Sequence, residues 1–245
     1  MTAEIENCKV WTRFERTKKN GSVVNLRIQD LPKNRMDDLM TFLSTYFVHD
    51  ESMHKAAGIG KSKEAIEEYK KFMTKIFELN RPNIAVCCHD IDSKDFDEIL
   101  AVSTVQLTSN KTSLKDILGE LGLEIQCKET ESMLSIVSTL FSKCPESVKS
   151  KYEWFYEGRG IIVHPEYRGL GIATQFVKQR RMLCKETNIP MTCAWMTSLG
   201  SQRAGEKDGW ETMCEVSLDE LEMLTGLVFE KSVSSYKLMV ATETN

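Results

Sequence analysis

Residues 163–176 read VHPEYRGLGIATQF. Gly169 and Gly171 separate an apolar run, GIIV at 160–163, from an amphipathic stretch, IATQFVKQRRMLCK at 172–185, and Arg168 stands just before them. A strand that hands over to a helix through two glycines can aim several backbone N–H groups at one point. Glycine lets a ligand approach the backbone with no Cβ in the way, and the start of a helix adds partial positive charge. That pattern suits an anion, most often a phosphate, with Arg168 adding a full charge. A plain strand-to-helix turn that binds nothing would use the same residues.

Three phosphate loops compete for this string. The nucleotide loop G-x-x-x-x-G-K-[ST] is absent from the sequence,. The dinucleotide fingerprint needs a third glycine and a repeated strand–helix–strand unit, and GLGIAT at 169–174 has neither,. The third pattern is R-x-x-G-x-A, met by Arg168, Gly171 and Ala173 and preceded by V-x-P-x-Y. Upstream, FVHDESMHKAAGI at 47–59 places two carboxylates, Asp50 and Glu51, between His49 and His54. Read alone, that acidic pair is a solvated helix end. Four histidines and eight cysteines show no metal-ligand spacing, so no metal is expected,. The cysteines form no C-x-x-C and sit mostly in apolar segments, which reads as free thiols in a reducing compartment,.

The elements that must position these residues follow from periodicity. Strands are expected at 9–14 and 22–29, joined by an Asn20-Gly21 turn. A helix is expected over 35–48, with Asn34 as its N-cap and Met36, Leu39, Met40, Leu43 and Phe47 on its apolar face. A second helix covers 63–79. Two strands, 84–90 and 98–107, form an antiparallel pair across a polar turn at 90–97. Residues 113–143 read as an irregular helical insertion. Then come strand 154–163, the glycine turn, helix 172–187, strand 191–196, a short helix at 198–207, and strands 210–216 and 236–241. The order predicts an α/β fold with a mixed, mostly antiparallel sheet and one strand–helix–strand crossover near its middle.

With those residues and that order in place, the chain resembles the GCN5-related N-acetyltransferases, and VHPEYRGLGIA is similar to the insect arylalkylamine, dopamine-type members. The resemblance runs from about Trp11 to the C-terminus. It implies a single domain over 1–245, with the sheet splayed at its central strands and flanked by helices. It implies acetyl transfer from acetyl-CoA to the primary amine of a small, arylalkyl amine. The coenzyme would lie on the main chain of Ile161, Ile162 and Val163 and on the turn Arg168, Gly169, Leu170, Gly171, Ile172 and Ala173. Glu51 matches the family's general base, with His54 and His49 as rival bases. Thr197 and Ser201 in TSLGSQRAGEKDGW match hydroxyls assigned to proton transfer, although Ser and Thr near a helix start are more often caps. Tyr46, Phe47 and Trp210 are candidate aromatic contacts for the amine. Agmatine, a polyamine or a peptide amine remains an alternative acceptor, and a non-catalytic acyl-CoA-binding protein an alternative function.

Composition bounds the remaining classes. The 245 residues, 41% apolar and 28% charged, suffice for a substantial core, and the net charge of −4 with no basic block disfavours nucleic acid or an anionic membrane as partner,. No apolar run approaches the ~20 residues that span a bilayer. The opening MTAEIENCKVW lacks the layout of a signal peptide,. A cytoplasmic monomer is therefore expected.

Overall fold

The computed structural model describes residues 8–80, 82–91, 98–113, 116, 119–120, 122 and 124–243. Positions 1–7, 92–97 of the expected polar turn, and 114–115, 117–118, 121 and 123 of the expected insertion lie outside them. Eight strands form one sheet: β1 Val10–Thr17, β2 Val23–Asp30, β3 Asn83–His89, β4 Ala101–Ser109, β5 Trp154–Val163, β6 Met191–Met196, β7 Glu211–Ser217 and β8 Ser235–Thr242. Their spatial order is β1-β2-β3-β4-β5-β6-β8-β7. Every neighbouring pair is antiparallel except β5 with β6.

The exception makes the site. β4 and β5 pair along their whole length, from Ala101↔Val163 to Ser109↔Trp154. β5 and β6 pair only at Tyr156↔Thr192 and Glu157↔Cys193 and then part. The result is a fork that opens toward the glycine turn.

Helices cover both faces. On one lies α5 Ile172–Thr187, with Ile172, Phe176 and Leu183 packed on Leu26, Ile28 and Val105 of the sheet. α6 Leu199–Lys207 packs beside it. On the other face α1 Met36–Phe42 continues through a π-helical turn, Leu43–Phe47, into a last turn, Val48–Asp50. The expected helix over 35–48 is thus present, but Asn34 does not cap it. Asn34 falls inside a 3-10 turn, Lys33–Arg35, and Arg35 at the N-cap position makes no side-chain cap bond. α2 Ser52–Ala57 and α3 Lys63–Asn80 follow.

The expected insertion supplies α4 Lys128–Lys143, which is a core element. Met133, Ile136 and Leu140 recur at helical spacing and are buried against Tyr69, Phe72 and Leu221,. Leu221 belongs to α7 Leu218–Thr225, a helix missing from the expected element order, capped by Ser217 Oγ accepting the Glu220 N–H. Among the described residues no helix is long and apolar enough to cross a membrane. Nor does any group of three or more His, Cys, Asp or Glu among them suit a metal ion.

Candidate functional site

A cavity of about 830 Å³ runs along the fork from the glycine turn to the space beneath α3 and α4. Every residue expected to touch the coenzyme lines it except Leu170, as do Glu51, Thr197 and Ser201. Three regions build it.

The first is the turn. Gly169 and Gly171 have φ of +82° and +73°, the left-handed region that glycine enters without a Cβ penalty,. Gly171 is the N-cap of α5. A Cβ built on Gly169 would meet nothing within 4 Å, so the loop's outer face is open to a ligand. The Arg168 charge is already committed: its guanidinium ion-pairs with Asp50, and its Nε donates to the Val163 carbonyl at 3.1 Å. A second cation, which the sequence does not single out, stands at the loop. Arg16 of β1 reaches across and donates from Nε to the Leu170 carbonyl at 2.9 Å.

The second region is the open edge of β5. The His164 N–H donates to the Leu100 carbonyl at 2.8 Å, while Val163 stands opposite Ala101. In antiparallel pairing that register makes Val163 and Ile161 the residues whose N–H and C=O groups point away from β4, into the fork. Ile162 therefore turns its main chain to β4. Its side chain is buried among Leu39, Phe42 and Val86.

The third region is acidic. Glu51 is 8% exposed and is the N-cap of α2, an end that becomes an interior corner because the chain turns back there. Its Oε2 accepts the N–H groups of Met53 at 2.6 Å and His54 at 3.0 Å. Its Oε1 accepts the Thr197 hydroxyl at 2.9 Å. Glu51 and Thr197, 146 residues apart, are thus one hydrogen-bonded unit facing the cavity. Next to it the Tyr236 hydroxyl donates to Ser52 Oγ at 2.6 Å.

Ser201 is placed differently. It forms a reciprocal capping box with Ser198 at the start of α6, its hydroxyl donating to the Ser198 carbonyl at 2.9 Å,. His54 is buried, with Nδ1 3.3 Å from the Phe47 carbonyl oxygen and its ring held edge-on by Phe47 and Tyr69, each 4.9 Å away. Burial pushes its pKa below the ordinary value, so the ring is neutral,. His49 is exposed and lies against Gly60, where a built Cβ would come within 2.5 Å of its Nδ1.

Of the three aromatic candidates, only Phe47 lines the cavity. Tyr46 packs on Phe42 and His164, and Trp210 is buried among Val177, Ala204 and Met239. The wall instead uses Trp195 of β6 and Tyr69 of α3. The Tyr69 hydroxyl is buried and has no hydrogen-bond partner among the described residues, and burial raises its pKa, so it keeps its proton. Helical spacing marks Tyr69 as a core residue, and only the folded neighbourhood reveals its second role as wall.

No family model matches the chain, and no curated protein matches its sequence. Solved structures do match. A provisionally assigned arylalkylamine N-acetyltransferase 7 of the yellow fever mosquito Aedes aegypti is 21% identical over 98% of each chain, with a TM-score of 0.81. Arylalkylamine N-acetyltransferase 2 of the same mosquito is 18% identical over 89% of this chain and 98% of that one, with a TM-score of 0.70. The Drosophila melanogaster polyamine N-acetyltransferase that forms N-acetylagmatine is 13% identical over 89% of this chain and 100% of that one, with a TM-score of 0.68. The chain has the fold of the GCN5-related N-acetyltransferases.

Proposed function

We propose that this chain transfers an acetyl group from acetyl-CoA to the primary amine of a small amine. One observation carries the reading: a single cavity joins the open glycine turn, the unpaired edge of β5 and the Glu51–Thr197 unit. The chain's likeness to arylalkylamine and polyamine N-acetyltransferases supports it.

The residues present fit the coenzyme. The N–H groups of the turn and the start of α5 would hold its phosphates, with Arg16 fixing the loop. The main-chain groups of Ile161 and the N–H of Val163, whose carbonyl already accepts from Arg168, would hold the arm that follows. When bound, the coenzyme supplies an activated acyl thioester. An N–H on the open edge near Val163 would then stabilise negative charge developing on the acyl oxygen.

The amine must lose a proton before it attacks, because an alkylammonium with pKa of roughly 10 has no lone pair to offer. Thr197 donates its hydroxyl proton to Glu51, so the lone pairs of its oxygen face the cavity,. An ammonium hydrogen-bonded there can pass its proton through Thr197 to Glu51. Positioning of the two reactants in one cleft supplies the rest.

The acceptor end favours an arylalkylamine. Its lining includes Phe72 and Met73 of α3, Val137 and Phe141 of α4, and Gln106, Glu157 and Arg159 of the sheet. An aromatic ring suits such a slot. Agmatine or a polyamine carries a second cation, and the acid among these residues, Glu157, already lies 2.8 Å from Arg159.

Acetyl-CoA with a panel of arylalkylamines, agmatine, polyamines and short peptides, read by mass spectrometry of the products, tests the reading. An acetylated arylalkylamine is expected. Glu51→Gln should lower turnover about 10²-fold or more, with acetyl-CoA binding unchanged by calorimetry. Full turnover in that variant removes Glu51 from the mechanism. Tight coenzyme binding with no acetylated product from any amine would favour the non-catalytic alternative.

A further inference from the structure

Arg180 of α5 is only 1% exposed, yet among the described residues no carboxylate lies within ion-pair distance of it. Its Nε donates to Ser103 Oγ at 3.1 Å, and its Nη2 donates to the carbonyls of Gly160 at 2.9 Å and Thr104 at 3.4 Å. Nη1 has no hydrogen-bond partner among the described residues. The nearest acid along β5, Glu157, is taken up by Arg159. Buried charges are ordinarily paired, because desolvating a lone guanidinium is costly. Burial lowers its pKa to about 10, which still leaves it charged at neutral pH.

The place of this cation is specific. Gly158 and Ala194 directly follow Glu157 and Cys193, the last paired residues of β5 and β6. A Cβ built on Gly158 would lie 2.2 Å from Arg180 Nη1 and 2.8 Å from the Ala194 Cβ. The guanidinium therefore occupies the vertex of the fork, in room that only glycine leaves, and it lines the cavity. A coenzyme that enters at the glycine turn and runs back along β5 directs its acyl group toward that vertex.

We propose that the vertex is an anion subsite, in which the Arg180 guanidinium receives the far-end carboxylate of the acyl donor, so that a succinyl-type thioester is taken in preference to a neutral acyl group of the same length. This rests on the preceding reading that the fork holds an acyl thioester. The transfer is unchanged in kind. The ammonium gives its first proton through Thr197 to Glu51, the amine nitrogen bonds to the acyl carbon, the carbon–sulfur bond breaks, and the departing thiolate takes the second proton that nitrogen loses. The distal carboxylate takes no part and only holds the chain.

Calorimetric titration with succinyl-CoA and with butyryl-CoA, which share the four-carbon length, tests the subsite without requiring turnover. The wild-type chain should bind succinyl-CoA at least ten-fold more tightly. Arg180→Met should abolish that preference, and Arg180→Lys should keep part of it. Equal affinities in the wild type, or a preference that survives in Arg180→Met, would overturn the proposal while leaving the acetyltransferase reading standing. Binding of neither thioester would overturn both. If Arg180→Met does not fold, the wild-type pair alone decides.

Discussion

Thr197 and Ser201 carry the same hydroxyl four residues apart, and the fold puts them to different work. Thr197 is bonded to the buried Glu51, whereas Ser201 closes a capping box with Ser198. Thr197→Val should therefore lower kcat about ten-fold or more, the scale of a lost proton-transfer partner. Ser201→Ala should leave kcat within about two-fold and cost about 0.5–1 kcal/mol of stability, the loss expected for a capping bond. Steady-state kinetics and urea melts on both variants separate the two roles. A large kcat loss in Ser201→Ala with Thr197→Val near normal would reverse the assignment. His54 makes a prediction of another kind. Burial lowers its pKa in the folded state from the usual 6.5, against a smaller opposing effect of the Glu51 charge. The unfolded chain thus takes up this proton first as pH falls. The stability it affects is intact above about 6.5 and is lost as pH drops from there to the lower folded value. The acid side of the stability curve should be shallower in His54→Gln, and an unchanged slope between pH 7 and 5 would show that His54 does not set it.

The glycine turn is held by an element far from it in sequence. Arg16, at the end of β1, fixes the Leu170 carbonyl, and the Arg16 Nε is also 3.7 Å from the position a Cβ would take on Gly171. Arg16→Leu should leave the chemistry alone and loosen the loop, so KM for acetyl-CoA rises several-fold at near-constant kcat, the signature of lost uniform binding. A fall in kcat at unchanged KM would place Arg16 in the chemistry instead. The same contrast marks what the sequence could and could not tell. Strand 154–163, helix 172–187 and strand 191–196 coincide with their expected bounds, because an apolar strand run, a 3.6-residue stripe and a glycine pair are local signals. The capping role of Ser201 was equally local. The π-helical turn at 43–47 and the short α2 that buries Glu51 carry no comparable local mark. Arg16, Tyr69 and Arg180 were passed over because a charged or aromatic residue within a regular pattern reads as surface or core until its distant partners are in place.

At the scale of the whole molecule the fork divides the sheet. Strands β1–β5 and β6–β8–β7 share only two residue pairs, Tyr156↔Thr192 and Glu157↔Cys193, so the two parts are otherwise joined by helix packing and by side chains such as Phe155 of β5 among Met191, Cys193 and Val240. A ligand that fills the gap along β5 replaces missing strand contacts with its own and binds only the folded chain. At a concentration 100 times its Kd it should add about 2.7 kcal/mol, which for a chain of this size raises Tm by roughly 5–10 °C. The gain should be largest locally, with β6 and β8 amides becoming the most protected in hydrogen exchange when acetyl-CoA is present. Because this stabilisation comes from filling the fork, Glu51→Gln should show the same Tm rise as the wild type even though its turnover is lost. Added protection confined to the glycine turn, with β6 amides unchanged, would mean that the coenzyme docks at the loop without entering the fork. That outcome would remove the geometric basis for bringing its acyl group beside Thr197.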